Sequence, residues 1–165
     1  MKRCIILIAV LLFTLSACSN QRREIHEPVN YYYLSTNPQL QSGGSMISCE
    51  IRDKFGHTND YTYLLEDYLL GPKSAESVSP FPAGTGLIHF DLVKDTALVN
   101  LTSHLALLKG HKLTMACACL GRTVLEITGM KSVQISAQGE LLDGKEYISI
   151  TSSNLALIDS YVSSQ

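Results

Sequence analysis

The sequence predicts an α+β fold: a single domain in which one mixed β-sheet carries two helices packed on one face, in the order β-β-α-β-β-α-β. Three observations carry this expectation. Apolar residues recur at helical spacing in only two stretches, Tyr61 to Leu69 and Leu113 to Ile127. Segments with a period of two flank both stretches. The chain has 165 residues, 45% hydrophobic and 17% charged, which is room for one domain with a proper core plus a targeting segment.

The N-terminus reads as targeting rather than fold. Lys2-Arg3 precede an apolar run from Ile5 to Leu15. At about 11 residues the run is short for a hydrocarbon core of ~30 Å, which favours a signal peptide over a lasting span. Leu15-Ser-Ala-Cys18 then resembles a bacterial lipobox. That resemblance implies cleavage between Ala17 and Cys18 and a diacylglyceryl group on the Cys18 thiol; an ordinary signal peptide cut at a small-residue site is the alternative. The expected organisation is a signal peptide over 1–17, a lipidated cysteine and polar tether over 18–30, a domain over 31–140, and a C-terminal extension over 141–165 that packs on the domain or trails from it. Acyl chains, at about 0.8 kcal/mol per buried methylene, would hold the protein at the cell membrane on its extracytoplasmic face.

Within the domain, Tyr31 to Thr36 is rich in strand formers. Met46 to Arg52 alternates and predicts a half-buried strand with Ile47, Cys49 and Ile51 inward. The first helix places Tyr61, Leu64, Leu65, Tyr68 and Leu69 on one stripe, with Asn59 or Asp60 to cap it and Gly71-Pro72 to stop it. Lys73 to Gly86 is a long surface connection rich in Ser, Pro and Gly. Leu87–Val93 and Ala97–Leu101 form a hairpin, and a second amphipathic helix runs from about Lys109 to Ile127, with Gly129 placed to end it. Lys131 to Ala137 alternates with Val133 and Ile135 inward, and Tyr147 to Ile150 offers a last short strand.

Composition and motif spacing exclude several chemistries. Without residues 1–17 the chain keeps 11 basic against 15 acidic residues, a net charge of −4. With no basic stripe, it is not expected to bind nucleic acid. His57, His89, His104 and His111 show no metal-ligand spacing, and no Gly-x-Ser-x-Gly elbow or phosphate-cradling glycine loop is present, so neither a metal, a cofactor nor an enzyme activity is expected. Beyond Cys18, the domain holds Cys49, Cys117 and Cys119. They read as small core hydrophobes, or as a disulfide from Cys49 to one of the pair, a choice that geometry decides.

Several blocks together resemble the GerMN domain, a family named after a spore-germination protein. Leu69-Leu-Gly-Pro72, Phe81-Pro-Ala-Gly-Thr85, Gly86 to Val93 and Thr96 to Ser103 follow its pattern, and Thr123 to Ile135 with Gly139 resembles its ending. The resemblance covers roughly Tyr31 to Gly139. It departs in offering one domain where the namesake has a tandem, and in carrying Cys117 and Cys119 in the second helix. It implies a non-enzymatic protein-binding or scaffolding lipoprotein in sporulation, germination or cell-envelope assembly, with the membrane and envelope or sporulation proteins as partners. The expected partner surface comprises Tyr31 and Tyr33 on the first strand and Lys73 and Thr85 in the long loop. An envelope hydrolase, or a glycan- or solute-binding lipoprotein, is the alternative.

Overall fold

A computed structural model describes residues 25–38 and 45–155. The expected signal peptide, its cleavage after Ala17 and the lipidation of Cys18 lie outside the described residues. The domain opens with β1 (Pro28–Ser35) and β2 (Ile47–Asp53), followed by α1 (Tyr61–Leu69) and the short β3 (Ser77–Val78). Then come β4 (Leu87–Val93), β5 (Thr96–Leu101), a 3-10 turn over Ser103–Leu107, α2 (Gly110–Thr128), β6 (Ser132–Ala137) and β7 (Ile148–Thr151). β1 starts ahead of Tyr31 because Val29 shares the buried face of Tyr31 and Tyr33, which draws the end of the expected tether into the strand.

The α+β class, the two helices and the single core are as expected. The strands, however, divide between two sheets instead of forming one. β2-β1-β3 is antiparallel throughout. β4-β5-β6-β7 is mixed, with β5 and β6 parallel. A parallel pair needs a crossover, and α2 supplies it.

The reason for two sheets lies in α2. A helix resting on one sheet buries one stripe. Here the predicted stripe of Leu113, Ala116, Cys117, Leu120 and Val124 is buried, but so are Met115, Ala118, Cys119 and Thr123 around the rest of the helix. Burial all round requires protein on both sides, and α2 touches β1 of the first sheet and β5, β6 and β7 of the second. Small residues let the backbones approach: a Cβ on Gly121 would lie 2.5 Å from Ile150 Cγ2. At β1 the helix also closes an open strand edge. The Tyr32 amide donates to Thr123 Oγ1 (3.1 Å), and the Tyr68 hydroxyl donates to the Tyr32 carbonyl (2.8 Å).

α1 lies on the other face of β1. Asp60 Oδ1 accepts from the Tyr63 amide at 3.0 Å, and Leu64, Leu65 and Tyr68 are buried as the stripe predicts. Gly71, at φ +96°, turns the chain out of the helix while its amide donates to the Tyr68 carbonyl.

Tyr31 and Tyr33, expected on a partner surface, are 0% exposed and form the centre of the core instead. Their hydroxyls donate to the carbonyls of Leu64 and Tyr68, each at 2.8 Å, and the Tyr33 ring stacks on Tyr68 at 4.9 Å. A buried tyrosine is stable where its hydroxyl finds an acceptor, and α1 provides two, one in its first half and one in its last turn. Tyr32 points the other way and is half-buried.

β2 buries Ile47 as predicted, but from Ser48 onward it turns the other face inward. Ile51 is 56% exposed and Cys49 is exposed, whereas Ser48 and Arg52 are buried. The partners waiting on the inner side decide this. With Cys49 outside and Cys117 and Cys119 in the core, all three thiols are free and the disulfide alternative falls. Burial pushes the Cys117 and Cys119 thiols up to about 12, so both stay protonated.

Candidate functional site

The inward turn of Arg52 organises the surface around the end of α1. Its guanidinium bonds Glu50 (2.6 Å), Asp67 (3.0 Å), the Gly71 carbonyl (2.6 Å) and the Tyr33 hydroxyl (3.2 Å), and lies 4.9 Å from the Tyr31 ring centroid. One side chain thus ties β2 to α1 and to the chain leaving it. Burial works against ionising Glu50, but the amides of Ser74 and Lys73 together with Arg52 outweigh it and hold the carboxyl below its ordinary value of 4.5. Burial likewise works against the Arg52 charge, and its bonds to Glu50 and Asp67 more than compensate. The Lys73 ammonium stands 3.5 Å from Asp67, which leaves that carboxylate with a cation on either side.

The opposite wall comes from the Pro82–Thr85 turn. The Thr85 amide donates to the Pro82 carbonyl (3.2 Å), and Gly84 adopts φ +86° with its Cα against the His104 ring, where a Cβ would come within 2.9 Å. Only glycine meets both demands. Thr102 at the end of β5 clasps the turn: its hydroxyl donates to the Gly84 carbonyl and accepts from the Gly86 amide.

Between these two walls is a groove of about 500 Å³ lined by Tyr63, Glu66, Leu69, Leu70, Thr85 and Leu87, with Asp67 and Gly86 also on its surface. Leu70 is 85% exposed, held at the rigid end of α1. The Tyr63 ring stacks on His57 at 3.7 Å. Thr85 Oγ1 is shielded from solvent and has no hydrogen-bond partner among the described residues.

Of the residues predicted for the partner surface, Thr85 lines this groove and Lys73 sits behind it on Asp67, while Tyr31 and Tyr33 lie in the core below. Tyr63, Leu70 and Leu87 are groove residues that were not singled out. Leu70 carried a signal, as an apolar residue off the helix stripe at its last turn; Leu87 became part of a groove only through the packing of α1 near β4. The chemistry on offer is apolar contact with the Glu66 carboxylate on the rim, Asp67 being already matched by Arg52 and Lys73. Among the described residues no group of three or more His, Cys, Asp or Glu is placed to hold a metal ion, and no helix is long and apolar enough to cross a membrane.

Fold and groove together define a class: a small α+β domain in which a central helix joins two sheets and the end of a shorter helix faces a pinned glycine turn. A family model described as "Germane: Sporulation and spore germination" matches residues 30–143, and the chain belongs to that family. Two solved structures share the fold. The first GerMN domain of the sporulation protein GerM from Bacillus subtilis is 14% identical, with a TM-score of 0.50 over 76% of this chain and 98% of that one. The tandem GerMN domains of the same protein give 14% identity and a TM-score of 0.51 over 75% of this chain. This chain spans 45% of the tandem. A Clostridium perfringens protein considered a lipoprotein is 18% identical, with a TM-score of 0.49 over 77% of this chain and 88% of that one. Comparison with curated protein sequences gives no match.

Proposed function

We propose that this protein is a lipid-anchored, extracytoplasmic member of the family that acts without catalysis, binding another envelope or sporulation protein through the groove beside α1. The observation that carries this reading is a convergence. Leu69 and Leu70 come from one block of the family pattern, Thr85, Gly86 and Leu87 from others, and all five line one groove. Leu70 projects there, fixed by a capped helix and by the Arg52 bond to Gly71. Burying a leucine side chain contributes about 1.5–3 kcal/mol, which a partner's apolar residue would recover. Glu66 on the rim favours a basic residue beside that apolar one. The anchor rests on the lipobox resemblance at Leu15–Cys18 and on the polar stretch that separates it from β1.

A photo-crosslinking amino acid placed at Leu70 in intact cells tests the groove. The expected result is a reproducible adduct with one extracytoplasmic protein, absent when the same group replaces Lys131, which lies outside the groove. Adducts identical from both positions, or none with protein, would overturn the reading. Cys18→Ser is expected to release the protein from the membrane fraction, and unchanged partition and mass would overturn the anchor.

A further inference from the structure

The outer face of the four-stranded sheet carries a second concavity, of about 270 Å³. Its polar lining is His89, Asn100, Gln134, Ser136, Glu146 and Tyr147, with Leu98 among them. Strand register builds it. His89 of β4 stands opposite Asn100 of β5, and Asn100 beside Ser136 of β6, so one row of polar side chains crosses three strands. Leu98 and Gln134 make the next row. Neighbouring strands run about 4.8 Å apart, which sets the pitch of these groups. Ala97, Val99, Leu101, Val133 and Ile135 turn the other way into the core. The segment entering β7 brings Glu146 and a 47% exposed Tyr147 to the side of the cleft.

One polar atom sets this cleft apart from an ordinary solvated sheet face: Asn100 Oδ1, which is shielded from solvent and has no hydrogen-bond partner among the described residues. Elsewhere on the same face, the Thr96 and Ser132 hydroxyls bond each other at 2.7 Å, and Thr151 bonds Ser153 and Asn154. In the cleft, the side chains of His89, Asn100, Gln134, Ser136 and Glu146 make no hydrogen bond among the described residues. Asn100 Oδ1 is an unmet acceptor that a small rotation of the carboxamide would turn to a donor in the cleft.

Two carboxamides and a serine hydroxyl offer donors and acceptors in equal measure, a carboxylate accepts, and a tyrosine supplies an apolar plate with a polar tip. Among the described residues no lysine or arginine lines the cleft. That set fits a ligand that is itself dense in hydroxyls, has apolar ring faces and lacks negative charge. We propose that the cleft binds an uncharged glycan, with Asn100, Gln134 and Ser136 hydrogen-bonding its hydroxyls and Tyr147 packing on a sugar face. An extended polypeptide is the poorer fit, because it would pair with a sheet edge and this cleft lies on a face. The site is separate from the groove beside α1 and stands or falls independently of it.

The test is calorimetric titration of the full-length chain in detergent with tetra-N-acetylchitotetraose. Saturable binding is expected, weakened about two- to tenfold by Gln134→Ala, the worth of one hydrogen bond, and by at least as much by Tyr147→Ala. Glu66→Arg in the other groove should leave it unchanged. Both cleft side chains lie outside the core, and unchanged thermal unfolding of each variant confirms that the fold is intact. No saturable heat, binding indifferent to both cleft variants, or binding only of polygalacturonate or of an extended peptide would each overturn the proposal.

Discussion

Replacing Arg52 by methionine should destabilise the domain by about 3 kcal/mol, and the structure explains both the size and its pH dependence. Methionine keeps much of the apolar stem but removes the bonds to Glu50, Asp67, Gly71 and the Tyr33 hydroxyl. Breaking a buried ion pair by deleting one partner typically costs about 3–5 kcal/mol, chiefly because the other charge stays behind unpaired. The lower end applies here. Glu50 retains the Lys73 and Ser74 amides, Asp67 retains the Lys73 ammonium, and their side chains keep 10% and 20% of their exposure. For a domain of this size, each kcal/mol shifts the midpoint by about 2–4 °C, so thermal unfolding followed by circular dichroism should show a fall of roughly 6–12 °C at neutral pH. Acid should shrink the difference. The depressed Glu50 carboxyl contributes stability that is present above its ordinary value of 4.5 and lost as pH falls through its lower folded value. Wild type therefore loses stability in that window, while the variant, whose Glu50 keeps only the Ser74 and Lys73 amides, loses less. A shift under about 2 °C at neutral pH, or a difference that does not change on acidification, would refute the view that this guanidinium fastens α1 to β2.

Three further perturbations probe other joints of the fold. Gly121→Ala should cost about 1–3 kcal/mol by pressing on Ile150, and Ile150→Ala in the same chain should recover part of it; additive losses in denaturant titrations would contradict the close approach of α2 and β7. Tyr68→Phe removes the donor to the Tyr32 carbonyl and should cost about 1–3 kcal/mol, with faster amide exchange along β1; unaltered exchange there would argue against its role in closing the strand edge. Alkylation of the native protein at mildly alkaline pH, mapped by mass spectrometry, should modify Cys49 and spare Cys117 and Cys119 until the chain is unfolded. Burial raises both helix thiols to about 12 and hides them, so early modification of either would show that α2 is not enclosed.

Where local pattern and local chemistry agree, the sequence by itself determined the outcome. The stripe of Leu64, Leu65 and Tyr68, the Asp60 cap and the glycine stops at Gly71 and Gly129 are all properties of a few consecutive residues, and each is found where its spacing placed it. The alternation that put Val133 and Ile135 inward was equally local. The blocks that mark the family were legible too, because a turn such as Pro82–Thr85 needs its glycine for a backbone reason that distant residues do not alter.

Tertiary structure alone decided the rest. In β2 the alternation favoured Ile47, Cys49 and Ile51 as the inner face, but a period of two says which residues share a face and not which face turns inward. Arg52 settled it, through Asp67, Tyr33 and Gly71, partners far along the chain whose combined bonds outweigh the cost of exposing Ile51. The three consecutive tyrosines posed the same question, answered by the carbonyls of Leu64 and Tyr68 that receive the hydroxyls of Tyr31 and Tyr33. The periodicity of α2 showed one apolar stripe and could not show that its small, weakly polar remainder would be enclosed as well, which splits the strands into two sheets. Both surface concavities arise from this non-local packing. One joins the end of α1 to a turn pinned on β5; the other sets a local hairpin, β4-β5, beside β6, whose parallel register is fixed only by the α2 crossover.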